Sequence, residues 1–289
     1  MTSPPRFLIV ESETQQARRE RRNRVGQSSG ETYIDTLLAL APGARCDQIK
    51  PADRGAEWPD AAGLAGYDGV FFTGSPLHLY EDTPVVRRVL DFMRAVFSSG
   101  TPAFGSCAGL QIATVAAGGS VRRNARGREA AFARRITPTR EGVRHPLLRG
   151  RPAAYDAPAI HTDEVEALPD GAVLLATNAA TQVQAAEIRA DEGVFWGVQY
   201  HPELSLAEIA AALRREEDAL VQEGLAQSPE ALEQHAGLID ELHQEPGRRD
   251  LAWCLGLDEQ VTESRQRQTE LRNFIELAVK PNRSARGRA

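Results

Sequence analysis

The 289-residue sequence has little cysteine: Cys46, Cys107 and Cys254 lie far apart, and no CxxC pair occurs. Such a set builds no disulfide framework and fits a reducing compartment. No apolar run approaches the ~20 residues that span a bilayer. The start, MTSPPRFLIVESE, has only four consecutive apolar residues before acids follow, too few for a secretory leader. A cytoplasmic protein without membrane contact is expected. Positive charge is not in excess either. Lys and Arg number 34 against 40 Asp and Glu, and the formal net charge of −6 argues against a nucleic-acid or anionic-surface binder. The six histidines show no HExxH or CxxC…HxxxH spacing, and there is no GxxxxGK[ST] loop. Neither a catalytic metal nor a cofactor is therefore expected.

What is present is 42% hydrophobic and 26% charged residues, the proportions of a soluble globular chain long enough for a full core. Short apolar runs, Phe7–Val10, Cys46–Ile49, Val70–Thr73 and Thr101–Gly105, alternate with helical patterns over Tyr33–Leu40, Val85–Phe97 and Leu110–Ala117. Thr83-Pro84 and Gly100 bracket the second of these helices with a cap, a first-turn proline and a stop. This alternation predicts an α/β protein with a mixed, mainly parallel open sheet flanked by helices. Ser120–Asn124, Ala131–Thr137, Val173–Thr177 and Val183–Arg189 read as strands with few helices between them. Asp191-Glu192-Gly193 reads as a turn into VFWGVQY, so an antiparallel region is expected to join the parallel core. From residue 205 the pattern is helical again. We divide the chain at 1–205 and 206–289, the second part being a C-terminal helical extension. Its first helix is expected to pack back on the sheet, and the terminal PNRSARGRA to fray.

One stretch stands out, PAFGSCAGLQ (residues 102–111). Cys107 falls between a strand and a helix with a glycine two residues away on either side. That is the spacing of a nucleophile elbow, where small neighbours allow a strained turn to display the side chain. The carboxyl edge of a parallel sheet is where ligands bind, and a helix N-terminus favours a thiolate. The N–H of Ala108 can point at a developing oxyanion. A nucleophile needs a base and something to orient it. The run FWGVQYHPE ends a strand at His201, and rigid Pro202 separates His201 from Glu203, so both side chains can face one cleft. Cys46 and Cys254 have no such context.

GSCAGLQ together with GVQYHPE resembles the class I (triad-type) glutamine amidotransferase family, whose patterns are G-x-C-x-G-x-Q and G-x-Q-[FY]-H-P-E. DGVFFTGSP (68–76) is similar to the family's oxyanion segment, and IHTDEV (160–165) to its S-H-x-D-x-V segment. The four motifs stand in the family's order over roughly residues 6–204, similar to the amidotransferase domain of GMP synthase. The resemblance implies a flavodoxin-like amidotransferase fold. It also implies attack by Cys107 on the side-chain amide of glutamine, forming a γ-glutamyl thioester and ammonia. His201 would move the proton and Glu203 would orient His201. The N–H groups of Gly74 and Ala108 would form the oxyanion hole. Gln111, Ser75, His161 and Asp163 fall at positions that contact or border the glutamine pocket. Ser75 replaces a family glycine, which matters wherever that turn needs a positive φ.

In this family the ammonia acceptor belongs to a synthetase. A synthetase partner in trans, or a homo-oligomer through the C-terminal helices, is therefore expected. Two other readings stay open: a γ-glutamyl hydrolase or peptidase on the same scaffold, and a non-catalytic regulatory module. The basic runs Arg18–Arg24 and Arg122–Arg135 read as solvated charge, with a ligand- or partner-binding lip as the sharper option for the first. Trp196 reads as core or cleft wall. The apolar positions of the tail, Leu232, Ile239, Leu242, Leu251, Trp253, Leu255, Leu271, Phe274, Ile275 and Leu277, are expected to pack against something.

Overall fold

The computed structural model describes residues 3–288. Met1, Thr2 and Ala289, which open and close the two expected divisions of the chain, lie outside them. The first half alternates strands and helices: β1 Arg6–Val10, α1 Gln15–Val25, α2 Ser29–Leu40, β2 Arg45–Ile49, α3 Ala61–Leu64, β3 Gly69–Phe72, α4 Pro84–Ser99, β4 Ala103–Ser106 and α5 Ala108–Ala116. Six strands follow: β5 Ser120–Arg123, β6 Phe132–Pro138, β7 Tyr155–Pro158, β8 Asp163–Ala167, β9 Val173–Thr177 and β10 Ala185–Ala190. Then comes β11 Gly193–Val198. The rest is helical: α6 Leu206–Arg215, α7 Glu217–Gln222, α8 Pro229–Gln244, α9 Arg249–Leu255, α10 Glu259–Thr262, α11 Ser264–Arg267, α12 Thr269–Phe274 and α13 Lys280–Ala285. No helix among the described residues is long and apolar enough to cross a membrane.

Local chemistry explains the boundaries. Thr83 caps α4, Pro84 opens it, and Gly100 ends it in the left-handed conformation. Ser28 and Glu31 form a capping box on α2, as Ser205 and Glu208 do on α6. Thr14 caps α1 and Gly26 stops it, so the basic insertion is a helix.

Nine strands form one sheet in the order β2-β1-β3-β4-β11-β10-β9-β6-β7. The five from β2 to β11 are parallel, and β10, β9, β6 and β7 extend them antiparallel. Asp191, at φ 47°, turns β10 into β11. The mixed sheet follows the expectation. β5 departs from the expectation: it does not join the core sheet but pairs antiparallel with β8 in a separate two-stranded sheet. The chain reverses its sheet order at β1, so a ligand crevice forms at the carboxyl ends of β1, β3, β4 and β11.

Four further expectations are corrected. Arg18 and Arg21 are buried rather than solvated: Arg18 pairs with Asp53 at 2.6 Å, and Arg21 with Glu208 at 2.8 Å. In the second basic run, Arg128 is likewise sequestered by Glu216 and Glu223. The first tail helix, α6, packs chiefly on α8, sharing a cluster with Phe132 of β6. The sheet face is instead covered by the last helices. Phe274 packs edge-on against Phe71 of β3 at 5.4 Å, and Val279 lies against Gly69. The terminus does not fray up to residue 288. Arg283 and Arg288 pair with buried Asp68, and Arg286 binds the carbonyls of Ala65 and Gly100. Trp253, finally, is 82% exposed, unlike the other tail positions expected to pack.

Candidate active site

Cys107 sits between β4 and α5 at φ 52°, ψ −110°, a strained conformation for any residue with a side chain. Its N–H donates to Val198 O at 2.8 Å, which continues the β4–β11 pairing to the turn itself. The flanking glycines are required by contact. A Cβ on Gly105 would stand 2.9 Å from the Cα of Gly109, and one on Gly109 would stand 2.9 Å from Phe72 O. The N–H of Ala108 belongs to the first turn of α5, where no intrahelical acceptor exists.

β11 ends just before Gln199, and the chain delivers His201 and Glu203 beside the elbow. His201 Nδ1 donates to Glu203 Oε1 at 2.6 Å, and both residues are buried. Burial works against the charged ring. The Glu203 charge and hydrogen bonds with Cys107 and Glu203 outweigh it and hold the His201 pKa up at about 10. Gly74 lies under this imidazole, since a Cβ there would come within 2.7 Å of its Cε1.

Behind the pair stands a buried relay that the motifs did not indicate. Ser106 Oγ donates to Glu203 Oε1 at 3.0 Å, and Tyr33 OH lies 2.6 Å from Ser106 Oγ. A serine has one proton to give, and it goes to the carboxylate, so Tyr33 is the donor to Ser106. Ser106 adjoins the nucleophile, yet no local signal shows that its side chain meets a residue 97 positions later.

Cys107, Gly74, Ser75, Gln111, His161, Asp163, His201 and Glu203 border one cavity of about 660 Å³. Gln111 Nε2 donates to the Asp163 carbonyl (3.1 Å) and to Gln199 Oε1 (3.2 Å). His161 has both ring nitrogens facing acceptors, Glu129 Oε2 and the Asp163 carbonyl, each at 2.9 Å. The Asp163 carboxylate faces His78 Nδ1 at 2.6 Å. Neither Gly74 nor Ser75 has a positive φ. Ser75 Oγ instead ties the turn together, donating to Ser12 O at 3.1 Å and accepting from Leu77 N–H at 3.2 Å. His78, Tyr33 and Ser106 are site neighbours that the sequence motifs do not reveal.

Residues 45–217 match the family model described as glutamine amidotransferase class-I. Among curated proteins, a γ-glutamyl-L-1-hydroxyisopropylamide hydrolase from a Pseudomonas species is 38% identical over 76% of this chain and 74% of its own length. A glutamine-hydrolysing GMP synthase subunit from Methanoculleus marisnigri is 34% identical over 52% of this chain and 72% of its own. In fold alone, the chain resembles a glutamine amidotransferase from Thermotoga maritima, with a TM-score of 0.65 at 18% identity covering 96% and 98% of the two chains.

Proposed function

The chain belongs to the glutamine amidotransferase class-I family, and from that premise we propose that it hydrolyses the side-chain amide of γ-glutamyl compounds through a thioester on Cys107. The observation that carries this reading is the 2.6 Å His201–Glu203 contact beside a strained cysteine, with all three residues on one cavity. The thiol gives its proton to His201, and the thiolate attacks the amide carbon. Gly74 and Ala108 N–H groups are our choice for the donors to the resulting oxyanion. Collapse breaks the C–N bond as His201 returns the proton to the leaving nitrogen. Water, deprotonated by His201, then cleaves the thioester to free the γ-carboxylate and the thiol. Gln111, Ser75, His161 and Asp163 are the wall we assign to the glutamyl end, Ser75 by shaping the turn.

With glutamine the leaving group is ammonia, supplied to an acceptor or a partner synthetase. With a γ-glutamyl amide it is an amine. One observation favours the second: the Pseudomonas relative is a hydrolase of a γ-glutamyl amide, γ-glutamyl-L-1-hydroxyisopropylamide. We assign the chemistry to residues 1–205 and treat 206–289 as a supporting extension in a cytoplasmic enzyme. A synthetase or second copy docking on that extension would find Trp253 its most exposed large apolar side chain among the described residues.

The test uses purified protein with glutamine and γ-glutamyl alkylamides in parallel. Cys107→Ser is expected to lose about 10⁴-fold or more in turnover while staying folded. Wild-type-like turnover in that variant refutes the mechanism. Cleavage of conjugates without glutamine removes the ammonia-supply reading. A glutamine-site affinity label that modifies Cys107 no faster than Cys46, whose thiol burial pushes up to about 11, points to the non-catalytic module.

A further inference from the structure

A second cavity, of about 350 Å³, is bordered by helix α2, the start of α6 and the tail helices α8, α10 and α11. Its tail side lies beyond residue 217, where the match to the family model ends. Glu203 borders both this cavity and the reaction cavity. Arg267 of α11 lines it and is 6% exposed. Its Nη1 donates to Val261 O at 2.6 Å and its Nη2 to Ser264 Oγ at 3.1 Å, while its Nε has no partner. Among the described residues Arg267 makes no ion pair. Arg18, Arg21 and Arg283 are buried to the same degree, and each meets a carboxylate.

A buried charge without a counter-charge is costly. Burial pulls the Arg267 pKa down to about 10, and the charge of Glu208 opposes it. Glu208 is already committed elsewhere. Its Oε1 accepts from Arg21 at 2.8 Å and from Thr32 at 2.6 Å, and its Oε2 accepts from Ser205 N–H and Oγ, each at 2.9 Å. Arg267 thus keeps N–H donors and a positive charge for a group from outside the chain.

The surroundings restrict what that group can be. A guanidinium pairs best with a planar oxyanion that fits its fork. Glu203, Glu208 and Asp35 border the same cavity, so a phosphate dianion would face three carboxylates, whereas a carboxylate brings a single charge. Ser264 Oγ accepts from Arg267 and still has its own proton to donate to that anion. Leu206, Leu242 and Pro246 give the cavity an apolar side, and its volume admits only a short chain.

We propose that this cavity is a binding site for a small aliphatic carboxylate, with Arg267 as the group that pairs with it. The site does not depend on which amide the reaction cavity cleaves, and it shares only the wall residue Glu203 with that cavity. Two sources carry this chemistry, a simple carboxylic acid and a free amino acid, and they differ by an ammonium group.

The test is thermal unfolding of the full chain at neutral pH and constant ionic strength, with butyrate, L-2-aminobutyrate, phosphate or chloride added. At about ten times its dissociation constant a ligand raises the folding constant about 11-fold, which lifts Tm by roughly 3 °C. Butyrate is expected to give such a saturable rise over chloride, and Arg267→Met to abolish it. Arg267→Lys keeps the charge but not the fork. It should need about 10-fold more butyrate, the worth of one charged hydrogen bond, and it carries the test if the methionine variant does not fold. An equal or larger rise with aminobutyrate identifies free amino acids as the source, and a rise with butyrate alone identifies simple acids. No rise with either, a rise with phosphate alone, or a rise that survives in Arg267→Met overturns the site. None of these readouts uses amide hydrolysis, so failure of the hydrolase reading leaves the result intact.

Discussion

A fully buried ion pair gives the sharpest stability prediction. The Arg151 and Glu270 side chains are both fully buried, and the guanidinium meets the carboxylate as a fork, Nε to Oε1 at 2.7 Å and one terminal nitrogen to Oε2 at 2.7 Å. Gln260 Oε1 and the Arg267 carbonyl take its other protons at 2.9 and 3.1 Å. Tyr200 OH donates to Glu270 at 2.9 Å, and Tyr155 OH in turn donates to Tyr200 at 2.9 Å. Tyr200 precedes His201, so this network fastens helix α12 to the strand end that carries the base. Breaking a buried pair by removing one partner costs about 3–5 kcal/mol, because the other charge is stranded. At roughly 2 °C per kcal/mol for a chain of this size, Arg151→Met or Glu270→Met alone should lower Tm by about 6–10 °C. The double substitution strands no charge. It leaves the Tyr200 hydroxyl without its acceptor and Gln260 Oε1 and the Arg267 carbonyl without their donor, each worth about 1 kcal/mol or more, so its Tm should fall well short of the sum of the two singles. Thermal unfolding by near-ultraviolet circular dichroism, with glutaminase activity measured alongside, gives both readouts. If the double variant loses the sum of the two singles, or either single loses less than about 2 °C, the charge-pairing argument is wrong.

Two further predictions concern the relay and the base. Ser106→Ala removes the hydroxyl that disperses the Glu203 charge, so Glu203 should pull harder on His201 and move the alkaline limb of the kcat/KM profile upward. Tyr33→Phe should act in the same direction but less, at a stability cost of about 1 kcal/mol; a downward shift in the pH profile of either variant refutes the relay. The second follows from linkage. His201 is held at about 10 in the folded chain, above an unfolded value of about 6.5. Its proton-linked stability is therefore complete below pH about 6.5 and is lost as pH rises to about 10. The Tm advantage of wild type over His201→Gln should shrink across that window, and melts at pH 6, 8 and 10 that show a constant difference would contradict it.

Much of the site was legible because its signals are local. The glycines around Cys107 are dictated by contacts within four residues and with the adjoining strand. The helix caps lie within one turn of their partners. His201 and Glu203 are two residues apart, so their contact is nearly built into the strand end. The parallel character of the first half of the sheet followed from alternation, and the family patterns pointed to the site residues.

The residues misread or passed over in the sequence share a different property: their partners are far along the chain. Tyr33 meets Ser106 across 73 positions, Arg21 meets Glu208 across 187, and Arg283 meets Asp68 across 215. An arginine bound for a buried carboxylate looks, in sequence, the same as one bound for water. Trp253 shows the converse, an apolar side chain at helical spacing whose neighbours turn elsewhere. By itself, therefore, the sequence determined most of the strands and helices, the elbow and the His-Pro-Glu strand end, all set by steric and hydrogen-bonding rules spanning a few residues, but not α1, α3, β7 or β8. Only the tertiary structure decided which charges are buried in pairs, what stands behind Glu203, and that Arg267 comes to line a second cavity, because desolvation and partner geometry exist only once distant segments have closed around them.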